Sequence, residues 1–523
     1  MSAVARKRNV TILILALAVA AINFISMPAE FYAGDSYAIK VEAMHLVRDG
    51  KFGFTAQEAY KLGGFLDVRD QYFRFNETTG KYHNRWGLFD LAISAIPELV
   101  NIGKPEQYLD GKALKADKSS IFAHNIFNIL LSLIFALFLY KSSLLFTRHN
   151  TLGVFLVFSI LYASFTWNYM RAQSYEIVHL VLFTAFFYYY VLFLRSANNA
   201  RSFATNRSFY LYNLLLAALC LSKSFYFYLY PILFLPICAK MISMSGQGVV
   251  RGMLLNRKNL CLVVLAGVVS MVVFLLSSYF YFGDIFFGYL KNHPHDGKIG
   301  FSYIFIADRL HDYFVSNNRS LFVHMPLLIA GLIGFPWCLR RHRYEALFLL
   351  GAFLFAVIYF SFCYTVGEWC YGPRFFLFLL PAMCLPSVYL VELFVKRRQV
   401  VALTALSMAV LLVSVISLRA QMDVNSRAFH LRYLLEGLLQ QRVELPAEIR
   451  SYFEHANFAV IARDTNLLAQ GKRTGYLAES FGKYFQEDKK DELYAQLQQF
   501  VTSTFPENYY FRQFPFSRQS GWH

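Results

Sequence analysis

The sequence predicts an all-α, polytopic membrane protein of about eleven spans. Three observations predict it. Hydrophobic residues make up 57% of the 523 positions and charged residues only 16%, against roughly 45–50% and roughly 25% in soluble domains. Long apolar runs recur as far as position 420. Basic residues fill every second connection between those runs, the positive-inside pattern. Disorder, collagen and a small disulfide scaffold are excluded by the same composition. A net charge of +17 would suggest nucleic acid in a soluble chain. Here the cations sit in short loops beside apolar runs, so the expected partner is the lipid bilayer and no nucleic acid.

The first run, 9–27, follows Arg6, Lys7 and Arg8. Its length, and the lack of a small-x-small cleavage site before Phe31, favour a retained span over a signal peptide. Further runs lie at 121–146, 151–168, 175–195, 208–222, 225–241, 259–281, 321–339, 344–364, 375–395 and 399–418. The 208–222 and 225–241 pair is short and shares Lys223.

Charge fixes the expected orientation. Lys141 and Arg148 follow the second run, Arg195, Arg201 and Arg207 the fourth, and Lys240, Arg251, Arg257 and Lys258 the sixth. Arg340, Arg341 and Arg343 follow the eighth, and Lys396, Arg397 and Arg398 the tenth. All fall on the side of the N-terminus, which is therefore expected to be cytoplasmic, with 28–120, 282–320, 365–374 and 419–523 opposite. No internal repeat of the kind that marks secondary transporters is visible. Cys220, Cys238, Cys261, Cys338, Cys363, Cys370 and Cys384 lie within or beside apolar runs, so no disulfide framework or cysteine metal site is implied.

Two domains are expected: a membrane domain over 1–420, and a small helical domain over 421–523 on the outer side. The latter has Leu431, Leu434, Leu435, Leu438 and Leu439 at helical spacing and an aromatic end at Tyr509, Tyr510, Phe511, Phe514 and Phe516.

The first outer loop, 28–120, is too long to be a plain connection. Ala38, Ile39, Val41, Met44, Leu46 and Val47 have helical spacing, with Asp35 or Ser36 as candidate cap and Gly50 as stop. Asp35 and Glu42 are seven residues apart, so two helical turns put both carboxylates on one face. After Arg85-Trp86-Gly87, the run from Leu88 to Pro97 is amphipathic but too short and too charged, with Asp90 and Glu98, to span. It reads as a helix lying in the interface.

These segments resemble the first periplasmic loop of the GT-C superfamily, integral-membrane glycosyltransferases that use polyprenyl-phosphate sugars. Protein O-mannosyltransferases and lipid A aminoarabinose transferases belong to it. The resemblance rests on Phe31-Tyr32-Ala33-Gly34-Asp35-Ser36-Tyr37, then Tyr82-His83-Asn84-Arg85-Trp86-Gly87 and the run ending at Pro97. Trp167-Asn168-Tyr169 with Arg171 and Glu176, Ser222-Lys223, Asn318-Arg319-Ser320 before Pro326, and Glu368-Trp369-Cys370-Tyr371-Gly372-Pro373-Arg374 resemble later outer segments of bacterial members. The likeness runs through most of 1–400 and leaves 421–523 unmatched. Where the family often carries an acidic pair, Asp35 is followed by Ser36.

The resemblance implies sugar transfer from a lipid phosphate to an acceptor hydroxyl on an envelope glycan, lipid or protein. The setting is the outer face of a bacterial inner membrane, with the C-terminus periplasmic. Such a reaction needs a carboxylate to accept the hydroxyl proton, and Asp35 is the candidate base, with Glu42 orienting it or the acceptor. The leaving phosphate needs fixed cations, for which planar arginine forks suit. The candidates are Arg85, Arg374, Lys223, Arg171 and Arg319. No cofactor is required by the sequence, although a divalent metal is compatible with it. His293, His295, Asp296 and His311 fit no strong ligand spacing and read as a polar loop. The sequon Asn76-Glu77-Thr78 matters only in a eukaryotic secretory pathway. The competing class is a transporter or flippase of lipid-linked saccharides, which has no need of a lone base at Asp35. An O-antigen ligase or polymerase typically places its key loop late in the chain.

Overall fold

The computed structural model describes residues 3–27, 34–59, 73–84, 86–104, 117–171, 174–196, 203–245, 257–283, 303, 306–315, 320–362 and 373–401. Beyond these it describes scattered positions from 404 to 415, and 492 and 495. The expected domain at 421–523 therefore lies outside the described residues.

Among the described residues the chain is a helical membrane bundle with one two-stranded hairpin. Six helices among the described residues are long and apolar enough to cross a membrane. They are α1 (Ala3–Ile25), α4 (Lys118–Phe146), α7 (Glu176–Ser196), the Ser224–Ser243 stretch that ends in α9 (Leu229–Ser245), α10 (Arg257–Phe282) and α14 (Arg343–Ser361). Four other expected runs form shorter pieces. These are α5 (Asn150–Tyr162) followed by α6 (Thr166–Arg171), α8 (Arg207–Ser222), and α12 (Leu321–His324) followed by α13 (Leu327–Arg341). The last is α15 (Leu380–Cys384) followed by α16 (Ser387–Lys396). The 399–418 run is described only at 399–401 and at scattered positions up to 415.

The expected single helix at 375–395 is broken because Pro381 and Pro386 each remove a backbone donor and clash with the preceding turn. The broken segment is packed backbone to backbone on α13. A Cβ added at Gly331 would lie 2.4 Å from the Met383 carbonyl oxygen, and one at Gly334 2.1 Å from that of Pro386. Small residues permit this close approach where lipid supplies no hydrophobic drive between helices.

Helix α7 is the axis of the bundle. Its spanning window is 78% buried against 11% for α10, which lies at the rim. Apolar on all sides, α7 packs between α4 and α8, as such a sequence must. An aromatic cluster of Phe186, Tyr190, Tyr212 and Phe348 surrounds it, with ring centroids 4.8–6.2 Å apart. The Tyr190 hydroxyl donates to the Leu233 carbonyl at 3.0 Å.

The first outer loop contains α2 (Gly34–Asp49), as the spacing predicts, and Gly50 stops it with φ +63°. Asp35 lies within the first turn rather than at the cap position. Between α2 and α3 (Leu88–Glu98) the described residues add one helical turn at 56–59, closed by the Ala59 amide on the Thr55 carbonyl at 2.9 Å. The loop then forms an antiparallel hairpin of β1 (Phe73–Asn76) and β2 (Lys81–Asn84) in the register Phe73↔Asn84 to Asn76↔Lys81. The Asn76 side chain accepts from the Thr78 and Thr79 amides at 2.9 and 3.2 Å, and its amide donates to the Phe280 and Tyr281 carbonyls at the end of α10. The sequon asparagine is thus a buried structural clip. A small core of Ala43, Leu91, Tyr281 and Phe282 joins α2, α3 and α10.

Candidate active site

The helices α4, α7 and α8 place Lys118, Glu176 and Ser222 at the same end of the bundle, beneath α2, the hairpin and α3. Two buried polar networks fix this end.

The first is centred on Glu42, which is fully buried. Its Oε2 accepts from the Asn84 backbone amide, the Asn84 side chain and the Tyr281 hydroxyl, each at 2.7 Å. Its Oε1 lies 2.8 Å from His83 Nδ1. Carboxylate and donors satisfy one another, which is the condition under which a buried charge is tolerated. Glu42 therefore pins β2 to α2 one residue before Arg85, and two turns along α2 from position 35. The side chain of Asp35 and all of Arg85 lie outside the described residues.

The second network holds the far ends of α2 and α3 on α4. Arg48 donates to Glu98 at 3.1 Å, to Asp117 at 2.7 Å and to the Ser120 hydroxyl. Glu98 also accepts from Asn101 and Ser120 and lies 3.0 Å from His124 Nε2. Burial pushes the Glu98 carboxyl up, but the hydrogen bonds and charges of His124 and Arg48 outweigh it and hold it at about 2. Burial drives the Lys40 ammonium, in the same region, down to about 7, against the partial support of Glu98. The helix expected at 88–97 is present as α3. The charges of α3 point inward, Asp90 1% exposed and Glu98 not at all, while Ile96, Leu99, Val100 and Ile102 are exposed at and just past its C-terminal end.

Between the two networks, the start of α3 rests on the end of α8. A Cβ on Gly87 would fall 2.3 Å from the Leu221 carbonyl oxygen, so only glycine lets the helices touch there. This contact brings Asp90 against α8 and α7. Ser222 donates to Asp90 Oδ1 at 3.0 Å, and His179 Nε2 lies 3.4 Å from the same oxygen. Asp90 Oδ2 is buried with no hydrogen-bond partner among the described residues. His179 stacks edge-on between Tyr175 and Tyr226 at 5.4 and 5.6 Å. Neither Asp90 nor His179 was among the residues singled out from the sequence, where Asp90 is only a charge on an amphipathic run.

The predicted cations sort by position. Lys223 Nζ lies 4.7 Å over the Tyr175 ring and 3.2 Å from its hydroxyl. Tyr175 also faces Trp86, at 6.1 Å between centroids, next to position 85. Arg374 Nη1 is 3.5 Å from Glu176 Oε1. Lys223, Arg374 and the chain on either side of Arg85 thus converge around Tyr175 and Glu176. Arg171 is elsewhere: its Nε donates to the Ser26 carbonyl at 2.6 Å, at the end of α1. Arg319, His293, His295 and Asp296 lie outside the described residues, and His311 is exposed on α11 (Ile306–Phe314). Among the described residues no three His, Cys, Asp or Glu side chains are grouped to hold a metal.

No protein-family model and no curated protein matches the sequence. The fold does match solved structures. The oligosaccharyltransferase of Archaeoglobus fulgidus in the apo form superposes with a TM-score of 0.50 at 11% identity, over 86% of this chain and 59% of that one. The chain thus spans about three fifths of that protein's length. AglB from the same organism, in complex with an inhibitory peptide and a dolichol-phosphate, matches at 0.48 and 11% over 93% and 59%. ArnT from Cupriavidus metallidurans, bound to undecaprenyl phosphate, matches at 0.43 and 14% over 96% and 77%. The likeness to the first of these is one of fold: the helical membrane architecture expected from the sequence is found, with six spanning helices among the described residues where about eleven spans were expected.

Proposed function

We propose that this multi-pass membrane protein is a glycosyltransferase. It moves a sugar from a polyprenyl-phosphate donor to a hydroxyl on an envelope glycan, lipid or protein. The observation that carries the reading is the convergence of Lys223, Arg374 and the chain around Arg85 on Tyr175 and Glu176, at the end of the bundle where α2 begins. Partly buried cations at a helix end suit a lipid phosphate at the membrane surface, with its tail in the bilayer.

Asp35 serves as general base. Its carboxylate accepts the acceptor's hydroxyl proton as that oxygen forms a bond to the anomeric carbon. The bond from that carbon to the phosphate oxygen breaks, and the electron pair leaves on the lipid phosphate. Lys223, Arg374 and Arg85 stabilise the charge that develops there. Glu42, engaged by its own donors, positions the loop rather than reaching the acceptor. Arg171 braces the end of α1, where the chain leaves for α2. Positive-inside charge supports a cytoplasmic N-terminus and a periplasmic site in a bacterial inner membrane.

The test is mass spectrometry of envelope glycans and lipids from cells lacking the protein. These are complemented with wild type or Asp35→Asn at equal membrane levels. A sugar increment that returns with wild type alone supports the reading and identifies the acceptor. An increment restored equally by both removes Asp35 as base and favours the flippase.

A further inference from the structure

At the end of the bundle opposite the candidate site lies a cavity of about 1000 Å³. It is an open cavity lined by the last turn of α4, the start of α5, the end of α7, α13, α16 and Ser407. Helix α4, 29 residues long, separates the two ends by roughly 40 Å.

The cavity has two kinds of wall. At its mouth stand four cations, Arg148, Arg195, Arg341 and Lys396, with one carboxylate, Glu392. Arg195 is taken by Glu345 at 3.2 Å and Arg341 by Glu392 at 3.1 Å. Among the described residues, Arg148 and Lys396 have no carboxylate partner. Deeper in, the wall is apolar, with Leu152, Phe155 and Val391. It reaches Leu327, fourteen residues from Arg341 on α13 and so about 20 Å along its axis. Ser387 also lines it. That side chain is 3% exposed, and its hydroxyl has no hydrogen-bond partner among the described residues.

We propose that this cavity binds an anionic phospholipid from the adjoining leaflet. The phosphate sits between Arg148 and Lys396 at the mouth, and one acyl chain runs down the apolar wall past Ser387. Two cations left after internal pairing match one phosphate diester with charge to spare. A free phosphate would leave the apolar wall empty. A zwitterionic lipid would bring its own cation against Arg148 and Lys396. The level of the mouth, at the basic ends of the spans, is where headgroups lie.

The full-length protein, purified and delipidated in detergent, tests this by thermal unfolding. Phosphatidylglycerol should raise the Tm by several degrees. Phosphatidylcholine and inorganic phosphate should not. The Arg148→Gln/Lys396→Gln double variant should lose the shift, while Arg257→Gln, a basic residue at the same end outside the cavity, should keep it. A second measurement leaves the charges intact: phosphatidylglycerol with brominated tails should quench a tryptophan placed by Phe155→Trp. Equal stabilisation by phosphatidylcholine or by inorganic phosphate, a shift retained in the double variant, or no quenching at position 155 overturns the proposal.

Discussion

Glu42, seven residues along α2 from position 35, has its partners in the folded loop and at the end of α10. Three donors on one Glu42 oxygen, a histidine on the other and full burial keep this carboxylate within the fold. Substitution separates structure from chemistry here. Glu42→Leu leaves the buried Asn84 and Tyr281 donors unsatisfied and should cost about 3–5 kcal/mol, read as a fall in Tm and faster proteolysis of the hairpin. Glu42→Gln should be mild. Its carbonyl still accepts from Asn84 and Tyr281, and its amide can face His83 in the other tautomer. Transfer activity should stay within about tenfold of wild type. A folded Glu42→Gln protein without activity would move Glu42 into the chemistry. The spacing of Asp35 and Glu42 was legible because helical periodicity is local. The burial of Asp90 and Glu98 was not, because their partners are distant in sequence: 132 residues separate Ser222 from Asp90, and 26 separate His124 from Glu98.

At the scale of elements, the apolar runs foretold the helices, and proline and glycine decided the details. The hairpin sat in plain view as Phe73, Phe75 and Tyr82 alternating about Gly80, but the helical signals on either side dominated the reading. The run at 375–395 looked continuous by hydropathy, while Pro381 and Pro386 divide it. The division has a testable counterpart on α13. Alanine in a free helix is better than glycine by about 1 kcal/mol. Gly334→Ala should nonetheless destabilise the protein by about 1–3 kcal/mol, because the added carbon meets the Pro386 carbonyl at 2.1 Å. Gly351→Ala, whose added carbon would meet only the Ile232 Cγ2 methyl at 3.0 Å, is the control and should be close to neutral. A raised Tm for Gly334→Ala would mean that the two segments do not touch.

For the whole molecule, the outer loop and the bundle are joined through buried charge, so their union depends on pH. The Glu98 carboxyl is held at about 2, below its value in an unfolded chain. Its contribution is present above roughly pH 4.3 and is lost as pH falls toward 2. Lys40 acts in the other range. Its folded value of about 7 is below the unfolded value of about 10.4, so the folded loop binds fewer protons between them and its stability rises with pH across that window. Hydrogen exchange of α2 amides should slow relative to intrinsic rates from pH 7 to 9. Lys40→Met should flatten that trend while leaving the acid limb. An unchanged slope in Lys40→Met would separate Lys40 from the coupling.

The contact between Glu176 and Arg374 joins residues 198 positions apart. At a ribosomal pace of about 5–20 residues per second, the carboxylate at the head of the axial helix emerges roughly 10–40 seconds before its arginine exists. For that interval α7 must be held by the insertion machinery with its acidic end at the water line. The assembly of the site is therefore also a matter of timing. Synthesis speed between positions 176 and 374, which no folded-state contact records, becomes a property on which the yield of correctly inserted protein depends.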